Sequence, residues 1–157
     1  MIIACFDLGT STGYAIRKSD GMIISGVIDC KPNNFDGAGM RFIKFRDALD
    51  SFRVVTDGID RIYYEKVVFM PKSNAAGQIG GGMMATLQAW CEDNKIPYEG
   101  INVSRIKKFI TGKGNASKDE VYRAVESRIF EGKVGDYNEA DALALLYYIE
   151  DKLDARA

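Results

Sequence analysis

The sequence predicts an α/β fold built on a mixed sheet, and three observations lead there. Residues 1–30 read as three strands joined by short links, the pattern of an antiparallel meander. From residue 40 onward, apolar positions at helical spacing alternate with short runs rich in β-branched and aromatic residues. No repeat, low-complexity tract or linker divides the 157 residues, which predicts one domain over residues 1–157, long enough to bury a core.

The apolar run of residues 1–9 predicts a buried strand ending in Asp7-Leu8-Gly9. Strands over Ser11–Arg17 and Met22–Cys30 follow, separated by the turn residues Ser19-Asp20-Gly21. Met40, Ile43, Phe45, Ala48, Leu49 and Phe52 recur at helical spacing and predict a helix over 40–52. Ile59–Val68 reads as a central strand with Glu65 near its end. Pro71 and the glycines at 77, 80, 81 and 82 predict a mobile loop over 70–82, followed by a helix to about Asn94. A short strand over 97–103 leads to a helix capped by Ser104 and running through Ile110. Ser117-x-x-Glu120 matches a capping box and opens another helix. A last helix covers about 138–153.

Composition narrows the chemistry. The chain has no histidine, which removes Ser-His-Asp and Cys-His nucleophiles and most catalytic zinc sites. Hydrolysis would rest on carboxylates, lysines or hard metal ions. The net charge of −1 hides an asymmetry: residues 101–118 contain Arg105, Lys107, Lys108, Lys113 and Lys118 without an acid, whereas residues 119–157 hold ten acidic and five basic residues. Such a division suits a protein that grips a polyanion and gathers carboxylates elsewhere, though a solvated basic loop fits the segment as well. Cys5, Cys30 and Cys91 lack metal-finger spacing and read as reduced, buried thiols. The N-terminus does not read as a signal peptide, and the longest apolar run, 142–149, is too short for a bilayer, so a cytoplasmic protein without membrane contact is expected.

Asp7, Glu65 and Asp141 each interrupt an otherwise apolar element. A carboxylate buried in such a place is costly unless it is hydrogen-bonded or binds a cation. Three of them are what an oxygen-ligand site for Mg²⁺ requires, provided that they converge. Glycines beside Asp7, in Asp7-Leu8-Gly9-Thr10-Ser11-Thr12-Gly13, allow a tight turn and the close approach of a phosphate. A similar Asp-x-Gly-Thr loop opens sugar kinases and actin-like ATPases, but those need two such domains to close over ATP, more than this length supplies.

Four segments in order carry a more specific likeness: Asp7-Leu8-Gly9, the strand end from Glu65 to Met70, Ile106-Lys107-Lys108 with the Thr111–Lys118 stretch, and Asn138–Leu145. Together they resemble the RuvC-like Holliday junction resolvases of the ribonuclease H-like superfamily over nearly the whole chain, least between residues 32 and 58. The resemblance implies a five-stranded mixed sheet, three antiparallel strands then two parallel, flanked by helices. It implies a homodimer that nicks branched DNA with two Mg²⁺ or Mn²⁺ ions per site. By it, Asp7, Glu65 and Asp141 are metal ligands, Lys107 and Lys118 sit at phosphates in the catalytic centre, and Phe69 lies on the loop that opens the junction. The acid-free basic segment adds Arg105, Lys108 and Lys113 as expected DNA contacts.

One position departs from the family pattern. A fourth ligand, often Asp, usually stands three residues before the last one, and here it is Asn138, which offers only a neutral carbonyl oxygen. A weakly active junction-binding protein is therefore the alternative, against which stand the three retained carboxylates. Asp136 and Glu139 have the spacing of a helix cap and its partner, and Glu139 should point away from Asp141. Met83, Met84, Leu87 and Trp90 form an apolar helix face suited either to the core or to the dimer interface. The short chain suits a compact phage or prophage version, working in the bacterial host cytoplasm.

Overall fold

The computed structural model describes residues 1–66, 74–128 and 133–157. Among them are five strands and five helices, in the order β1 (Ile3–Asp7), β2 (Ser11–Arg17), β3 (Ile23–Asp29), α1 (Met40–Val55), β4 (Arg61–Lys66), α2 (Asn74–Asn94), β5 (Tyr98–Asn102), α3 (Val103–Thr111), α4 (Lys118–Glu126) and α5 (Tyr137–Asp154). The strands form one sheet in the order β3-β2-β1-β4-β5. β1 pairs antiparallel with β2, and β2 with β3, whereas β1–β4 and β4–β5 are parallel. The expected mixed sheet is thus present.

Alternation along the strands divides the core into two layers. Ile3, Cys5, Ala15 and Tyr63 face α3, α4 and α5, packing on Ile106, Val121, Ala140 and Leu143. Ala4, Phe6, Ile16, Ile62 and Tyr64 face α1 and α2, packing on Phe45, Leu49, Met83 and Leu87. β1 is covered on both sides, which explains why it is an unbroken apolar run rather than an alternating one.

α2 corrects two expectations. The helix begins at Asn74, so Gly77, Gly80, Gly81 and Gly82 lie within it and not on a preceding loop. Interior glycines cost helix stability, but packing offsets the cost: a Cβ on Gly82 would sit 2.5 Å from the Phe42 ring of α1. Met83, Leu87 and Trp90, the expected dimer face, are buried in the chain's own core, and Met84 is half-buried against it. Trp90 also donates its indole N–H to Asp50 Oδ1 at 2.9 Å, tying α2 to α1. Met83, Leu87 and Trp90 cannot serve a second subunit without leaving that core.

The helix starts follow local chemistry. α3 is capped by Asn102, whose Oδ1 accepts from the Ser104 N–H at 2.9 Å, so the expected cap at Ser104 is two residues late. Gly112, at φ 86°, ends this helix in the left-handed region. Ser117 caps α4 as expected, its hydroxyl accepting from the Glu120 N–H at 3.1 Å. Asp136 caps α5, accepting from the Glu139 N–H at 2.9 Å.

Candidate active site

Strand parity and register build the site. Asp7 follows Cys5, and Glu65 follows Tyr63, so both carboxylates stand on the face covered by α5. Phe6 is paired with Tyr64 across the β1–β4 boundary, and one step further come Asp7 and Glu65 at adjacent strand ends. On the other side Asp7 is paired with Gly13 of β2. The absence of a side chain there lets α5 settle directly on the sheet: a Cβ on Gly13 would fall 1.9 Å from the Asn138 carbonyl oxygen. One helical turn past this contact, α5 brings Asp141 over the two strand acids.

Asp7, Glu65 and Asp141 each offer a carboxylate oxygen within 4.8 Å of the other two. Among the described residues no other group of three or more Asp, Glu, Cys or His side chains converges in this way. The cluster opens into a cleft of about 260 Å³ lined also by Ser11, Val103, Lys107, Lys118 and Asn138. Asn138 and Asp141 are three residues apart and therefore share a helix face. Glu139 points elsewhere, as expected: its carboxylate accepts from Ser25 Oγ at 2.7 Å and from the Gly135 N–H at 2.6 Å. It thereby pins the start of α5 to β3.

Burial raises the proton affinity of all three acids, and for Asp7 and Glu65 the crowding of carboxylates adds to it. Burial, and then the charge of Asp141, push Asp7 up to about 7, while Lys118 pulls the other way. Glu65 is raised well above the usual carboxylate range by burial and by Asp7 and Asp141, and it shares a hydrogen bond with Asp7. Burial takes Asp141 to about 6 against the opposing charges of Lys118 and Lys107. Such a set retains protons near neutrality unless a cation replaces them. Hard carboxylate oxygens at this spacing suit Mg²⁺ or Mn²⁺, so the residues present fit the implied metal.

A pH dependence follows. Groups whose folded pKa lies above the unfolded value contribute stability below about pH 4, and that contribution is lost as pH rises through about 6–7. In chelator, the melting temperature is expected to fall between pH 5.5 and 8, and Glu65→Gln should flatten the fall. A difference of 1 kcal/mol corresponds to about 2–4 °C in a chain of this size, so calorimetry at both pH values resolves it. Equal slopes for wild type and variant would remove Glu65 from the cluster.

The remaining expected residues are spread more widely. Arg105 lines a separate cavity with Tyr63, Glu99, Tyr148, Lys152 and Arg156. Lys113 pairs with Glu120 at 3.2 Å, and Lys108 is exposed on α3 outside the cleft. Phe69 lies outside the described residues. Ser11 and Val103 are cleft residues without a sequence signal of their own.

No family model matches the sequence. Among solved structures, Thermus thermophilus RuvC in complex with a Holliday junction substrate matches at a TM-score of 0.76, covering 94% of this chain and 92% of that one at 19% identity. A second Thermus thermophilus RuvC structure matches at 0.70, covering 97% of each chain at 17% identity. The chain has the RuvC fold. Two curated crossover junction endodeoxyribonucleases RuvC, from the Gardel and Welgevonden strains of Ehrlichia ruminantium, are each 32% identical over 98 residues. Those residues make up 62% of this chain but only 57% of either relative, so the match spans little more than half of their length. On the RuvC fold, the three acids stand where β1, β4 and α5 meet and line the cleft. No described helix is long and apolar enough to cross a membrane.

Proposed function

We propose that the chain is a metal-dependent endonuclease that nicks Holliday junctions and other branched DNA. The observation that carries this reading is the convergence of Asp7, Glu65 and Asp141 beside Lys107 and Lys118 on the RuvC fold. Asp7, Glu65 and Asp141 would hold two Mg²⁺ or Mn²⁺ ions, with Asn138 as a neutral fourth donor. Bound there, the cations supply activation of water and charge compensation for the departing 3′ oxygen. Lys107 and Lys118 balance the carboxylate charge and draw the phosphodiester into the cleft. Asn138 would contribute an oxygen without charge, and so would hold a second ion less tightly than a fourth carboxylate would.

A four-way junction is two-fold symmetric, and paired nicks call for two sites, which supports a homodimer. Its contact surface lies outside Met83, Leu87 and Trp90. The thiols of Cys5, Cys30 and Cys91 are unpaired and buried, in keeping with work in a reducing cytoplasm.

Incubating the protein with synthetic junction, fork, flap and duplex DNA tests the reading. Nicking of the branched substrates with Mg²⁺ or Mn²⁺, and silence in chelator, is the expected result; cleavage that persists in chelator overturns it. The lysines are separable by salt dependence. Lys107→Gln and Lys118→Gln should each flatten the slope of log affinity against log salt by about one, because each removes one phosphate contact. Lys113→Gln should leave the slope near the wild-type value, since its ammonium is engaged by Glu120.

A further inference from the structure

We propose that Phe35 is a second point of contact with branched DNA, stacking on the face of a base exposed at the branch beside the cleft. Phe35 is 102% exposed, an aromatic ring with no packing role in the fold. A phenyl ring fully in water is an apolar surface without compensation, and here the backbone is built to keep it there. The Asp36 N–H bonds to the Asn33 carbonyl at 3.0 Å, and the Asp36 carboxylate accepts from the Asn33 N–H at 2.9 Å. This doubly closed turn fixes Phe35 at its outer corner. Lys44 adds a clamp, donating to the Lys31 carbonyl at 2.6 Å and to Asn33 Oδ1 at 3.3 Å.

Both ends of the segment are tied to the edge of the cleft. At its start, Cys30 donates its N–H to the Thr10 carbonyl at 2.8 Å, and Asp29 is paired with Ser11, itself a cleft residue. At its end, Arg41 Nε donates to Thr10 Oγ1 at 3.2 Å. The segment thus stands beside the turn that follows Asp7. Its charge leans toward a polyanion: residues 29–47 carry Lys31, Arg41, Lys44 and Arg46 against Asp29, Asp36 and Asp47, and Asp36 is spent on the turn. An exposed ring on a segment that also carries cations is the combination that holds single nucleotides, the ring taking the base face and the cations the backbone.

The assignment rests on the branched-DNA reading and is tested with the full chain in chelator. The probes are a four-way junction carrying 2-aminopurine at the branch and a linear duplex of the same arms. Phe35→Ala is expected to weaken junction binding by roughly 5- to 100-fold and to remove the fluorescence change at the branch. Its duplex affinity and melting temperature should match wild type, and Phe35→Trp should restore junction binding. A junction-selective wild type whose affinity and fluorescence response survive Phe35→Ala overturns the role of Phe35 alone. A wild type that binds junction and duplex alike overturns the branched-DNA reading, and the role of Phe35 falls with it. Loss of a dimer in Phe35→Ala, with junction affinity per chain unchanged, assigns the ring to a protein contact and also overturns the proposal.

Discussion

Replacing Asp7 by Asn is expected to reduce DNA nicking by several orders of magnitude while leaving the metal-free protein more stable, not less. The substitution keeps the side-chain volume and removes one negative charge from a trio packed within 4.8 Å. At pH 8 without metal, the folded state must hold Asp7 ionised although burial and Asp141 push it up to about 7. Removing that charge relieves the folded state, so the melting temperature in chelator should rise by several degrees. Junction affinity in chelator should equal or exceed that of wild type, because one source of phosphate repulsion is gone. With Mg²⁺ the order reverses: wild type gains stability from the cation, and the variant gains less. Melting temperature with and without Mg²⁺, junction affinity and single-turnover cleavage on one preparation test each step. A variant that loses stability in chelator but cleaves at the wild-type rate per folded molecule would make Asp7 a structural acid.

Gly13→Ala is expected to be nearly as damaging, although Gly13 bears no chemistry. The added methyl would meet the Asn138 carbonyl oxygen at 1.9 Å, with main chain on both sides of the clash and no flexible side chain to yield. α5 must lift, at a cost of about 2 kcal/mol or more from overpacking. Asp141 rides on the same helix, so the carboxylate trio opens as well. A displacement of about 1 Å at a reacting centre can cost on the order of 100-fold in rate, and a loss of that size is expected per folded molecule. Gly77→Ala is the control, for a Cβ there meets nothing within 4 Å. It should leave cleavage unchanged and raise stability slightly, by up to about 1 kcal/mol. Wild-type cleavage in Gly13→Ala would show that α5 tolerates displacement.

The acids were legible in the sequence because each breaks a run that packing requires to be apolar. The antiparallel pairing of the first three strands was legible for a related reason, since they are linked too tightly for crossovers. Caps at Ser117 and Asp136 could be read because their signals are local. The start of α2 could not: glycines at 77–82 signal a loop by propensity, and only the proximity of Phe42 explains why one of them lies in a helix. Trp90 looked equally suited to a core or an interface, because its role depends on Asp50, forty residues away. Composition and spacing alone did not separate the cations that face the cleft; the family resemblance singled out Lys107 and Lys118. Lys107 turns inward whereas Arg105, two residues earlier on the same helix, serves another cavity. Gly13 carried no signal, since its importance is a distance between a strand and a helix more than a hundred residues apart.

The three acids are not held by equally robust means. Asp7 and Glu65 sit at the ends of neighbouring parallel strands, and their separation is set by the peptide hydrogen-bond lattice, about 4.8 Å from strand to strand. That lattice is indifferent to which apolar side chains fill the layers above and below it, provided that the register holds. Asp141 depends instead on the seating of a helix, and so on every side chain beneath it. A library that randomises apolar core positions and retains the folders should therefore keep the strand pair in place in nearly all survivors. Its members would differ mainly in where Asp141 stands. Inherited variation in this architecture has a fixed jaw and an adjustable one, and the adjustable one is the helix.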